Sequence, residues 1–219
     1  GGVWSWSAGG DVQALRGMSA RLAELQQPTI VDGPDLRGAV GAVRFDLCVG
    51  RDALVGCEDP HARLSMIQSM LQQNARVVLI ETLVRHTPRL SEMVGSTPGA
   101  SELVGRWKAA EDALYTSTAD RLTRWTAEEL ASVLEAVGLQ VEHRIVHTRH
   151  DLAVTDAVIT RWFGQREGSY ADRLSESMSS GDLIDARAIV KTALRGRTLP
   201  WTGQAVLLVG RQVPGLDEA

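Results

Sequence analysis

Apolar residues occur in short runs separated by Gly, Pro and Asp, and the spacing inside the runs switches between strand and helix periods. Val3-Trp4-Ser5-Trp6-Ser7 predicts a short strand ended by Ala8-Gly9-Gly10, after which Val12, Leu15, Met18, Leu22 and Leu25 recur at helical spacing. Pro28 to Val31 is β-branched and bounded by Asp32-Gly33-Pro34, and Arg44 to Val49 is a further strand stopped at Gly50. Asp59-Pro60 predicts a helix start, with Leu64, Ile67, Met70 and Leu71 on the inner face. Ala75 to Glu81 then has the continuous apolar centre of a parallel strand covered on both faces.

From Thr87 to Arg124 the pattern is helical and polar, broken at Ser96-Thr97-Pro98-Gly99. Thr126 to Glu129 is a capping-box pattern, and its helix carries Leu130, Val133, Leu134 and Val137 before Gly138. Val141 to Val146 predicts a strand with an exposed edge. A helical insertion follows, about residues 151–201, and Ala205 to Arg211 is the last strand. Strands that alternate with helices predict an α/β class, a doubly wound and mainly parallel sheet in a single domain over 1–219. Phe45–Val49 and Arg76–Ile80 are expected as adjacent central strands, with Ala205–Arg211 antiparallel near the edge.

Composition narrows the function classes. The 219 residues carry 23 Lys and Arg against 27 Asp and Glu, a formal charge of -4, which is not the footprint of a chain that grips nucleic acid by itself. Two cysteines, Cys48 and Cys57, do not make a disulfide framework, and their spacing does not suit a zinc knuckle. Together with the mild acidity they point to a reducing, cytoplasmic setting. No apolar run approaches the roughly 20 residues of a membrane span. The start lacks a secretory pattern and an initiator Met, so a piece of a longer polypeptide is expected.

The order of units resembles the class I S-adenosylmethionine-dependent methyltransferases over about residues 3–151 and 203–211. Phe45 to Leu54 is similar to that family's fourth strand and following loop, Pro60 to Glu81 to its fourth helix and fifth strand, Thr126 to Leu139 to the helix before its sixth strand, and Ala205 to Arg211 to its antiparallel seventh. The family's Gly-rich cofactor turn has no clean counterpart. In one register Ser7-Ala8-Gly9-Gly10 is a degraded first-strand turn and Asp32 the ribose acid; in the other the chain begins at the second strand, Ser7 replaces the acid and Asp32-Gly33 ends the third. The second register runs through to Phe45 without a missing unit.

Val154 to Trp201, with Arg161-Trp162-Phe163, Tyr170 and Leu199-Pro200-Trp201, resembles an extension of some cyanobacterial proteins after a RarA-type AAA+ recombination ATPase. This resemblance implies an upstream ATPase region in the same polypeptide and a degenerate methyltransferase-fold module with an assembly or regulatory role in DNA recombination or repair. The alternative is an active S-adenosylmethionine-dependent methyltransferase.

Ser7, Asp32, Gly33, Gly50, Arg51 and Asp52 are the expected cofactor-side residues, because strand ends at the carboxyl edge of a parallel sheet line the ligand crevice. Arg51 offers a guanidinium fork and Asp52 an acid for proton transfer. The plainer accounts are a turn aspartate at Asp32 and an Arg-Asp pair capping a loop. His143, His147 and His150 cluster, but strand parity separates His150 from the other two. Trp162, Phe163 and Trp201 are expected to pin the insertion to its own domain.

Overall fold

The computed structural model describes residues 4–7, 13, 16–17, 20, 29–32, 36–95 and 101–212, with the backbone alone for Trp6, Ser7 and Asp32. Strands β1 (Trp4–Ser7) and β2 (Thr29–Asp32) form a parallel pair. Helix α1 (Leu36–Val40) leads to β3 (Phe45–Arg51), the first strand of a separate four-stranded sheet. Its other strands are β4 (Leu71–Thr82), β5 (Leu139–Ala153) and β6 (Thr198–Gln212), in the order β3-β4-β6-β5. The adjacency of Phe45–Val49 and Arg76–Ile80 is as expected: β3 and β4 are parallel, with Leu47 opposite Arg76 and Val49 opposite Val78.

The expected excess of parallel pairing is not met among the described residues. β6 runs antiparallel to both β4 and β5, so parallel and antiparallel pairings are equal in number. β6 lies inside the sheet, one strand from the edge, and β5 is the edge. The β5–β6 ladder runs unbroken from Leu139 opposite Gln212 to Ala153 opposite Thr198, well past the expected Val146. Residues 198–201 are therefore strand rather than part of a helical insertion. β4 also begins earlier than Ala75, because Leu71 pairs with Phe45; a left-handed Asn74 (φ 63°) lies between this contact and the regular ladder.

Local chemistry explains the helix ends. Asp59 caps α2 (Pro60–Gln68) by accepting from the Ala62 amide at 2.8 Å, and Pro60 occupies a first-turn position where no N–H is needed. After a 3₁₀ turn at Val84–His86 come α3 (Leu90–Met93) and α4 (Ser101–Thr116). The capping box at α5 (Ala127–Glu135) is formed as the sequence predicts: Thr126 Oγ1 accepts from the Glu129 amide at 3.1 Å, and Glu129 Oε2 accepts from the Thr126 amide at 2.8 Å.

α2 and α5 cover one face of the four-stranded sheet, and their Leu64, Ile67, Leu130 and Leu134 pack with Val77, Leu79, Val206 and Leu208 in a first core. The insertion is helical as expected, through α6 (Asp156–Phe163), α7 (Tyr170–Leu174) and α8 (Ser180–Leu194). It folds back through Phe163, Leu174 and Leu194 onto Trp107 and Leu114 of α4, making a second core that Leu199 of β6 also joins. Trp162 stacks on Trp201 with ring centroids 5.8 Å apart, so both aromatics serve this internal packing.

Candidate functional site

A recess of about 450 Å³ lies along β3. Trp4 and Leu36 line one part of it, Phe45, Leu47 and Val49 run along the strand, and Met70 borders it beyond Phe45. At the carboxyl end of β3 the lining changes to Gly50, Arg51, Asp52 and Ala53. The three expected residues Gly50, Arg51 and Asp52 are thus brought to one rim. The backbone packs closely at Gly50, where a Cβ would stand 2.8 Å from Leu79 Cδ2 and would have to displace that buried side chain.

The loop after β3 is held by two carboxylates. Glu81, fully buried near the end of β4, accepts from three successive amides: Ala53 at 2.8 Å, Leu54 at 3.1 Å and Val55 at 3.0 Å. Burial pushes the Glu81 carboxyl above its usual range; the three amides and the neighbouring charge of Asp52 pull in opposite directions beneath that dominant effect. Asp52 sits in the left-handed region (φ 48°), where its Oδ1 accepts from the Thr82 amide at 2.8 Å and its own amide donates to Ile80. Arg51 Nε is 3.6 Å from Asp52 Oδ2, in an exposed pair. Arg63 donates to the Ala53 carbonyl at 2.6 Å from the other side of the loop. Asp52 therefore acts first as a turn residue that ties β3 to β4.

Ser7 and Asp32 are partners in the β1–β2 register, each the last residue of its strand. Both stand at carboxyl strand ends, as expected, and this pairing is compatible with either register; Gly33 lies outside the described residues. The histidines of β5 lie on an exposed edge strand, and among the described residues no group of three His, Cys, Asp or Glu is placed to hold a metal ion. Glu81 was not singled out by the sequence reading. Its signal was an acid directly after the apolar run Val77–Ile80, at a strand end facing the loop of the neighbouring strand.

Among solved structures the chain is similar over 98% of its length to a protein of Bacillus halodurans described as a candidate methyltransferase, at 13% identity, 84% coverage of that chain and a TM-score of 0.51. It is similar over 96% of its length to the YcgJ protein of Bacillus subtilis, at 12% identity, 82% coverage and a TM-score of 0.50. The fold is methyltransferase-like. No protein-family model and no curated protein matches the chain. In this methyltransferase-like frame one end of the recess, at Gly50–Ala53, reaches the carboxyl end of β3, the edge at which ligands of open α/β sheets bind, and the rest runs back along the strand to Phe45 and Trp4. No helix among the described residues is long and apolar enough to cross a membrane.

Proposed function

We propose that the chain is a methyltransferase-fold module whose recess, with the groups supplied by residues 1–219, holds S-adenosylmethionine only weakly. The observation that carries this reading is the state of the polar side chains on the recess wall. Asp52 is bound to the Thr82 amide and beside Arg51, and Arg63 is bound to the Ala53 carbonyl. The rest of the wall is mostly apolar. A zwitterionic ligand with a ribose needs carboxylate and amide partners that are free to meet it, and an unmet polar group costs about 1–3 kcal/mol on burial. The resemblance puts Asp32 at the ribose position in one register and Ser7 there in the other, and both residues end their strands in the β1–β2 pair.

Titration calorimetry of the 219-residue chain with S-adenosylmethionine tests this. A dissociation constant weaker than about 10 μM is expected. A tighter value, or methyl transfer to an acceptor, overturns the proposal in favour of an active methyltransferase. The assembly role beside an AAA+ ATPase of recombination or repair in the same polypeptide is part of the same reading, carried by the resemblance of Val154–Trp201.

A further inference from the structure

Two buried donors on adjacent residues, Arg124 Nε and Trp125 Nε1, have no hydrogen-bond partner among the described residues. A buried donor left without an acceptor is costly, so such groups mark places where a water, an ion or a ligand completes the structure. Both residues line a second recess of about 270 Å³, together with Thr118 and Glu129, and this recess shares no residue with the one along β3. Among the described residues the Arg124 side chain makes no hydrogen bond and no ion pair; its Cζ rests 4.2 Å from the centroid of the Trp125 ring. Glu129 lines the same recess without pairing with Arg124, and its Oε2 is taken by the Thr126 amide at 2.8 Å.

The wall that carries these groups is braced from several sides. Asp120 Oδ1 accepts from the Leu122 and Thr123 amides, each at 2.9 Å, and from Arg173 at 2.8 Å. The Arg124 amide donates to the Asp120 carbonyl at 3.0 Å, and Arg85 Nε donates to the Thr123 carbonyl at 3.1 Å. Trp125 is 9% exposed and belongs to the first core. A fixed wall thus presents a cation and an anion that do not neutralise each other, and a ligand meeting them finds little left to order.

We propose that this second recess binds a small zwitterion of the α-amino acid kind, its carboxylate on the Arg124 guanidinium and its ammonium on the Glu129 carboxylate and the Thr118 hydroxyl. A guanidinium is a planar fork of donors that matches a carboxylate side-on. The volume lies below the roughly 300–1,000 Å³ of pockets for drug-sized ligands, which limits the ligand to a small one. A dianion such as inorganic phosphate suits the wall less well, because Glu129 already places a negative charge there. A carboxylate that takes Nε together with a terminal nitrogen draws the guanidinium away from the ring, so binding changes the surroundings of the Trp125 indole.

The test is a nuclear magnetic resonance titration of the 219-residue chain, read on the assigned indole N–H resonance of Trp125. The probes are L-alanine, propionate, which lacks the ammonium, ethylamine, which lacks the carboxylate, and inorganic phosphate. L-alanine is expected to give a saturating shift with a dissociation constant below about 10 mM, and the other three to bind at least 10-fold more weakly. Arg124→Gln gives up no hydrogen bond within the chain and should abolish the L-alanine shift. Glu129→Gln keeps an oxygen for the Thr126 amide and should bring L-alanine down to the affinity of propionate. No saturation by L-alanine in that range, a second probe that binds as tightly, or an L-alanine affinity unchanged by Arg124→Gln overturns the proposal. The comparison of probes on the parent chain stands whatever the variants do to stability. Because the two recesses share no residue, the outcome is independent of the S-adenosylmethionine reading.

Discussion

Glu81 holds three consecutive amides of a loop that has no regular structure of its own, with a carboxylate as the shared acceptor. Glu81→Ala is expected to destabilise the chain by roughly 3 kcal/mol, read by urea unfolding, because one buried and two part-buried amides lose their acceptor. Glu81→Gln keeps one acceptor oxygen and should cost less. The same carboxyl sets a pH dependence. Its native pKa is raised by burial from the ordinary 4.5, as is that of Glu111, which accepts from the Leu90 and Ser91 amides, the Ser91 hydroxyl and the Tyr170 hydroxyl. Between the ordinary and the raised value the folded chain keeps protons that the unfolded chain has released. The contribution of each group to stability is therefore present at low pH and declines as pH rises through that interval. The stability difference between parent and Glu81→Gln, followed from about pH 4 to 8, should fall with rising pH. A difference that is flat or rises would place the charge of Glu81 in a less desolvated setting than the structure gives it.

The elements show which parts of the pattern carry information. The pairing of Phe45–Val49 with Arg76–Ile80 is legible because two runs that are apolar apart from Asp46 and the leading Arg76 suit adjacent parallel strands. Helix α5 is legible because a capping box is a local chemical signal. The length of β5 is not legible. From His147 to Asp151 its residues are polar and exposed, so the strand there is held by backbone pairing to β6 rather than by burial, and pairing leaves no period in the sequence. The loop clamp is hidden for a related reason: an acid after an apolar run is visible, but the three amides that choose it come from 26 to 28 residues away. For the insertion, the aromatic pair Trp162 and Trp201 predicts a stability effect. Trp162→Ala should lower unfolding free energy by about 3 kcal/mol, near the lower end for aromatic truncation because the ring is only partly buried. If the variant melts like the parent, the stack belongs to a surface that recognises something else.

At the scale of the whole molecule the two larger of the three apolar centres among the described residues are joined by one strand pair. Val206 and Leu208 of β6 enter the first, and Leu199 of the same strand enters the second. Arg173 of α7 reaches Asp120 with two hydrogen bonds, at 2.9 and 2.8 Å, and so ties the insertion to the segment after α4. Arg173→Ala should loosen this junction without touching either centre, at a cost of about 1–2 kcal/mol, measurable as faster exchange of the α7 amides.

The unbroken β5–β6 ladder has a consequence for how such a chain tolerates change. Its fifteen rungs act as a ruler, because each residue added or removed inside one strand turns everything beyond it to the opposite side. A single residue inserted after Gly203 would leave Val206 and Leu208 where they are and present Leu199 and Trp201 to the wrong side, carrying the helical body with them. Length in this ribbon is therefore fixed in steps of two, while the loops between the helices of the insertion remain free to vary by any number.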